Sequence, residues 1–297
     1  MAMTAAEETA TDPQVASAPR SVGVIGGGTM GAGIAHVFAA AGAYVCVVES
    51  DPDNVTAAHR RIRDSLSRAA ERGKLDSTPD QVLGRVAMLS DIEELPADAE
   101  LVVEAVPEKA GLKATVLATA ELATGEATVL ASNTSSLSIT ELGAALADPA
   151  RFLGMHFFNP VPASKLVEIV LAPQTADLVR DRVVAWVRAL EKTDVVVRDS
   201  PGFATSRLGV MLGLEAIRML EEGVAEADAI DAAMELGYRH PMGPLRSTDL
   251  VGLDVRLAIA EYLQGTLGER FAPPQLLRDK VARGELGKKT GVGFYRW

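Results

Sequence analysis

The sequence has almost no cysteine, few aromatic residues, no excess of basic charge and no long apolar run. Its single cysteine, Cys46, cannot form a disulfide within the chain, which predicts a reducing, cytoplasmic location. No apolar stretch approaches the ~20 residues that a membrane-spanning helix requires, so no membrane partner is expected. The net charge of −11 argues against nucleic acid as a partner. No cluster of His, Cys and carboxylate residues has the spacing of a metal site.

The first twenty residues differ in composition from the rest of the chain. Residues 1–20 are small and polar, with two prolines, three acidic residues and no apolar block. We expect a flexible tail without a targeting signal. Over the whole chain, 48% of residues are hydrophobic and 23% are charged, which is the composition of a folded globular protein.

Short β-branched runs alternate with helical patterns over the first two thirds of the chain. Extended segments are expected at 22–25, 44–48, 101–106, 128–131, 152–158, 166–171 and 194–197. Helical composition occupies 29–41, 54–74, 112–122 and 179–190. This alternation predicts an α/β domain with a mainly parallel sheet over residues 21–199. Beyond residue 200 we find only helical patterns, at 203–221, 226–236, 253–263 and 274–283. We therefore predict an all-helical domain over 200–297.

A glycine-rich turn follows the first predicted strand and opens the first predicted helix. Gly26, Gly28 and Gly31 form the pattern G-x-G-x-x-G. In this context, free amides at the start of a helix bind a pyrophosphate. Glu49 ends the second strand, where a carboxylate accepts the ribose hydroxyls and repels a 2′-phosphate. The pattern indicates NAD rather than NADP, and the alternative is a tight turn that binds nothing.

A histidine and a glutamate lie on neighbouring predicted strands. His156 is followed by Asn159 in the string HFFNPVP, and Glu168 lies on the next strand. An imidazole paired with a carboxylate is a plausible general acid–base unit. The alternative is a pair of structural or solvated residues. The polar string ASNTSS, which contains Ser135, lines either a cofactor crevice or an ordinary loop.

Seven motifs occur in order between Ser21 and Trp297: GGGTMGAGIA, EAVPE, ASNTSSL, HFFNPVP, DSPGF, HPMGPL and GKKTGVGFY. Together they resemble the short-chain L-3-hydroxyacyl-CoA dehydrogenase family, which includes 3-hydroxybutyryl-CoA dehydrogenases. The resemblance implies a Rossmann-type NAD-binding domain followed by a helical domain that closes over the substrate and forms a homodimer. It also implies reversible oxidation of the (3S)-hydroxyl of an acyl-CoA to a 3-ketoacyl-CoA with NAD.

The resemblance assigns roles to individual residues. It implies His156 as the base, Glu168 as its partner and Ser135 as a hydrogen-bond donor to the reacting oxygen. Implied cofactor contacts, beyond the three glycines, are Glu49, Glu108, Lys113, Ser135, Asn159 and Lys289. Implied substrate contacts are Ser65, Arg72 and Ser135. The first two lie on a locally basic predicted helix, and the alternative interpretation of its charges is a solvated surface.

One position departs from the family pattern. Ser206 stands after DSPGF where the family has an asparagine that polarises the substrate beside the histidine. A serine hydroxyl donates one hydrogen bond, so it fills the same role less fully. Two other functions stay open: a dehydrogenase of a free hydroxy acid or carrier-protein thioester, and a catalytically silent NAD-binding protein.

Overall fold

The structure is a computed structural model that describes residues 17–297. Most of the predicted tail, residues 1–16, lies outside this range. The chain divides into two compact units. The sheet unit contains the described residues up to Asn133, together with Gly143–Ile169 and Gln174–Val196. The helical unit contains Thr134–Leu142, Val170–Pro173 and Val197–Trp297.

Eight strands form one sheet. They are β1 (Ser21–Ile25), β2 (Tyr44–Val48), β3 (Val86–Leu89), β4 (Leu101–Glu104), β5 (Val129–Ser132), β6 (Phe152–Phe157), β7 (Leu166–Leu171) and β8 (Thr193–Arg198). Their order is β3-β2-β1-β4-β5-β6-β7-β8. The first six pair in parallel, with Val24 opposite both Val47 and Val103. This is the strand order of the doubly wound dinucleotide-binding fold, and it confirms the predicted α/β class.

Eleven α-helices are assigned within residues 17–297. They are α1 (Thr29–Ala40), α2 (Pro52–Glu71), α3 (Pro79–Leu83), α4 (Ala110–Ala123), α5 (Ile139–Gly143), α6 (Asp177–Ala189), α7 (Thr205–Glu221), α8 (Ala227–Gly237), α9 (Pro244–Val251), α10 (Leu253–Leu267) and α11 (Gln275–Ala282). None of the helices in this part of the chain is both long and apolar enough to cross a membrane.

The sequence patterns missed one strand and one sizeable helix. Strand β3 pairs only with β2 at the sheet edge, and its four residues are half-buried or exposed. It therefore lacks the continuous apolar run that marks the buried strands. Helix α9 places Thr248 and Asp249 among its buried residues. These polar side chains interrupt the apolar periodicity on which helix prediction depends.

The helical unit has its own hydrophobic core. Val210 and Leu214 of α7, Leu263 of α10 and Phe271 belong to one buried cluster. From Thr205 to the end of the chain, the strand-like pairings are isolated bridges, at Gly287 with Val292 and at Val292 with Arg296. The C-terminal part is thus helical, as predicted.

Candidate active site

The glycine turn between β1 and α1 requires its glycines for different reasons. Gly26 has a φ of +100°, and a Cβ there would lie 2.8 Å from the Ala105 carbonyl oxygen. A Cβ on Gly31 would lie 1.7 Å from the Gly26 oxygen, so the helix could not approach the turn. A Cβ on Gly28 would meet nothing within 4 Å. Gly26 and Gly31 thus permit close backbone packing, and Gly28 leaves space in front of the helix N-terminus.

Glu49 follows β2 and faces this turn. Its Oε1 accepts a hydrogen bond from the Gly27 amide at 2.6 Å. The carboxylate lies at the carboxyl end of the strand, where it can also accept ribose hydroxyls. An open helix N-terminus beside a carboxylate fits the pyrophosphate and adenosine ribose of NAD.

The predicted cofactor residues Glu108 and Lys113 form an ion pair. Lys113 Nζ lies 3.3 Å from Glu108 Oε2 and 2.7 Å from Glu104 Oε1. Glu104 is fully buried at the end of β4 and is not among the predicted site residues, although the motif EAVPE begins with it. A charged residue that closes an otherwise apolar parallel strand, as in LVVE, is the signal that could have identified it.

His156 and Glu168 contact each other across neighbouring strands. His156 Nδ1 on β6 lies 2.8 Å from Glu168 Oε2 on β7, and both side chains are buried. The Phe158 ring lies beside the imidazole, with 4.3 Å between centroids. The Phe157 amide donates to Asn133 Oδ1 at 2.9 Å, which ties the end of β6 to the segment after β5. A buried imidazole held by a carboxylate is suited to moving a proton.

Three further predicted residues lie in the helical unit. Ser206 Oγ donates to the carbonyl oxygen of Ser135 at 3.3 Å. Lys289 Nζ lies 2.6 Å from Asp254 Oδ1, in the turn before the C-terminus. The structure therefore brings Ser135 and Ser206 together, while Lys289 has a separate acidic partner.

The remaining predicted residues are dispersed over the sheet unit. Ser65 Oγ on α2 lies 2.8 Å from His36 Nδ1 on α1, so its hydroxyl has a partner inside the unit. Arg72 is exposed at the C-terminal end of α2. Asn159 is exposed after β6 and precedes Pro160 through a cis peptide bond. Within residues 17–297, no group of three or more His, Cys, Asp or Glu side chains is placed to hold a metal ion.

Comparison with known families accounts for both parts of the chain. Residues 21–200 match the NAD-binding domain of 3-hydroxyacyl-CoA dehydrogenase, and residues 202–297 match the C-terminal domain of the same family. The chain therefore belongs to the 3-hydroxyacyl-CoA dehydrogenase family. It is an oxidoreductase with an NAD-binding domain, as its motifs predicted.

Individual relatives match over almost their whole length. The chain is 42% identical to the 3-hydroxybutyryl-CoA dehydrogenase of Mycobacterium tuberculosis, covering 95% of this chain and 100% of the relative. It is 38% identical to the mitochondrial hydroxyacyl-coenzyme A dehydrogenase of Sus scrofa, with 94% and 91% coverage. The crystal structure of (S)-3-hydroxybutyryl-CoA dehydrogenase from Ralstonia eutropha superposes with a TM-score of 0.89, at 38% identity over 94% and 99% of the two chains.

Proposed function

We propose that this protein interconverts (3S)-3-hydroxyacyl-CoA and 3-ketoacyl-CoA with NAD, on a short chain such as 3-hydroxybutyryl-CoA. The observation that carries the proposal is the buried pair of His156 and Glu168, 2.8 Å apart. The family membership and the names of the relatives support the substrate class. The glycine turn and Glu49 support the cofactor.

His156 is the group that moves the proton in this proposal. Its Nδ1 is held by Glu168 Oε2, so Nε2 is the nitrogen that takes the proton of the 3-hydroxyl. NAD held by the glycine turn and Glu49 would supply the hydride acceptor for C3, so that loss of the proton and the hydride leaves a carbonyl group. In the reverse direction, Nε2 returns the proton to the oxygen.

Glu168 stabilises the charge that develops on the imidazole ring. Because the carboxylate is fully buried and already oriented, it needs no reorganisation when the ring becomes positive. The stabilisation is therefore larger in the transition state than in the ground state, which is the condition for faster turnover.

Other roles follow from the family resemblance and belong to the same proposal. Ser135 donates to the reacting oxygen, and Ser206 takes the place of the family's asparagine. Glu108, Lys113, Asn159 and Lys289 contact the cofactor, and Ser65 and Arg72 contact the CoA moiety. The helical domain forms a homodimer.

Replacing the base while keeping its hydrogen bond tests this function. In His156→Asn, the shorter amide takes the place of the Nδ1 side of the ring and removes Nε2. We expect acetoacetyl-CoA reduction by NADH to fall about 10²–10⁴-fold, the usual contribution of a general acid–base group. NADH binding, followed by fluorescence, should stay near the wild-type value.

Two results would contradict the proposal. One is a folded His156→Asn protein with wild-type turnover. The other is a wild-type protein that binds NADH but reduces no 3-ketoacyl-CoA of any chain length, which would favour a silent NAD-binding protein. A preference for free 3-keto acids over the thioesters would instead assign a different dehydrogenase activity.

A further inference from the structure

Glu104 is a buried carboxylate that the proposed chemistry does not use. It closes β4, with Ile25 of β1 and Ser132 of β5 as its partners in register on the two neighbouring strands. Its side chain is 0% exposed. In a doubly wound sheet, the carboxyl ends of the central strands border the ligand crevice. Glu104 thus lies at the base of the region that binds the dinucleotide.

Three groups from different elements donate to this carboxylate. Lys113 Nζ of α4 and the Val106 amide both donate to Oε1 at 2.7 Å. Ser132 Oγ of β5 donates to Oε2 at 2.6 Å. A buried charge is expensive unless it is paired and hydrogen-bonded. Here the carboxylate has both kinds of partner, so it joins a strand, a loop and a helix at one point.

Both backbone polar groups of Val106 are bound by this ion pair. Its N–H donates to Glu104, and its carbonyl oxygen accepts from Lys113 Nζ at 3.1 Å. The same backbone borders the glycine turn, because a Cβ on Gly26 would lie 2.8 Å from the Ala105 oxygen and 3.2 Å from the Val106 nitrogen. The position of this loop therefore sets one wall of the glycine turn.

The contacts continue from Glu104 towards the surface. Lys113 is 1% exposed and lies 3.3 Å from Glu108 Oε2, and the Glu108 side chain is 36% exposed. The side chains of Glu104, Lys113 and Glu108 alternate in charge. Glu104 lies in the core, and Glu108 is partly accessible to solvent. Removing the buried charge would leave Lys113 with Glu108 as its ion-pair partner and the Val106 carbonyl oxygen as its other acceptor.

We propose that Glu104 is a positioning residue for the dinucleotide site. It fixes Lys113 and the Val106 peptide, and through them it fixes Glu108 and the wall of the glycine turn. The identity of the ligand rests on the proposed function, whereas the contacts that carry the inference do not.

The isosteric variant Glu104→Gln tests this role. The amide removes the negative charge opposite Lys113. Only its oxygen accepts hydrogen bonds, because its nitrogen is a donor, so it cannot replace both carboxylate oxygens. We expect the Kd for NADH, measured by fluorescence titration, to rise on the order of tenfold, the size expected when one hydrogen bond to a charged group is lost. The kcat at saturating NADH should change less than about threefold, because His156 and Glu168 are not among the groups that Glu104 contacts.

Glu121, which lies on α4 with Lys113, provides a matched control for Glu104. Its carboxylate is also buried in α4, and it accepts from the Ala147 and Asp148 amides at 2.7 and 2.9 Å. Glu121→Gln should lower the melting temperature but leave the Kd for NADH unchanged. If Glu104→Gln does not fold, Ser132→Ala removes one donor from the same carboxylate and should raise the Kd about twofold to threefold, the effect of one hydrogen bond at the low end of its range.

Several outcomes would overturn the inference. The first is a wild-type Kd for NADH in folded Glu104→Gln. The second, if Glu104→Gln does not fold, is a wild-type Kd in Ser132→Ala. The third is a Kd that rises as much in Glu121→Gln as in Glu104→Gln. Because NADH binding is measured without turnover, the result does not depend on the proposed activity. Intact NADH binding in a protein that reduces no 3-ketoacyl-CoA would count against the proposed function alone.

Discussion

Two buried histidines in the sheet unit have similar surroundings but different partners. His36 on α1 is 3% exposed, and His156 on β6 is 7% exposed. In each ring, Nδ1 lies 2.8 Å from a side-chain oxygen. That oxygen is the neutral hydroxyl of Ser65 for His36 and the carboxylate of Glu168 for His156. Burial and hydrogen-bond distance therefore do not distinguish the proposed proton-transfer group, His156, from His36.

The partner determines what happens to a positive charge on the ring. Burial, together with the nearby cations Lys192 and Arg68, lowers the pKa of His36 to about 4. His36 thus stays neutral at physiological pH and serves packing. His156 instead has the carboxylate of Glu168 within 2.8 Å of its ring.

Removing the charge of Glu168 should break the distinction most strongly. In Glu168→Gln, the size of the side chain is kept, but the imidazolium loses its compensating charge and a fixed orientation. We expect kcat for acetoacetyl-CoA reduction to fall about 10²–10⁴-fold. Steady-state kinetics measures the loss, and circular dichroism checks the fold. A decrease of less than about threefold would show that the anion is not what sets His156 apart.

The sequence indicated the contact between His156 and Glu168, but it did not indicate the buried contacts of His36 and Glu104. His156 and Glu168 both lie in apolar strands, where a polar residue is conspicuous, and the strands follow each other closely in the chain. The contact of His36 with Ser65 joins α1 to α2 across 29 positions, and that of Glu104 with Ser132 joins two strands across 28. Such contacts depend on how elements pack, which periodicity does not encode.

The pH dependence of stability should sharpen the comparison through His36. Its pKa is about 4 in the folded chain and 6.5 when unperturbed, so the unfolded chain binds the proton more tightly. Stability from the neutral ring is complete above pH 6.5 and is lost as the pH falls towards 4. The loss from this one group is about 3 kcal/mol.

The variant His36→Gln should lack this part of the pH dependence. Denaturant unfolding at pH 7 and pH 4.5 measures the difference. His59→Gln, at a half-buried position on α2, controls for the substitution itself. An unchanged slope in His36→Gln would show that the buried ring does not resist protonation.

Arg256 extends the comparison to a buried guanidinium in the helical unit. It is 8% exposed on α10, its Nε has no hydrogen-bond partner within residues 17–297, and burial lowers its pKa to about 10. An unsatisfied buried donor is destabilising, so Arg256→Met should raise the free energy of unfolding by about 1–2 kcal/mol. Denaturant unfolding measures the gain. A loss of stability would show that the packing of the guanidinium outweighs the cost of its unsatisfied Nε.

Substitution of Ser65 should have the smallest effect on stability. It also tests which of two partners the Ser65 hydroxyl binds. The family resemblance predicts a contact with the CoA moiety, whereas the structure gives the hydroxyl a partner in His36. Ser65→Ala should cost about 1 kcal/mol of stability, the net value of one hydrogen bond. If the hydroxyl serves His36 alone, the KM for acetoacetyl-CoA stays at the wild-type value. A raised KM with unchanged stability would assign the Ser65 hydroxyl to substrate binding. Its hydrogen bond with His36 would then contribute little to stability.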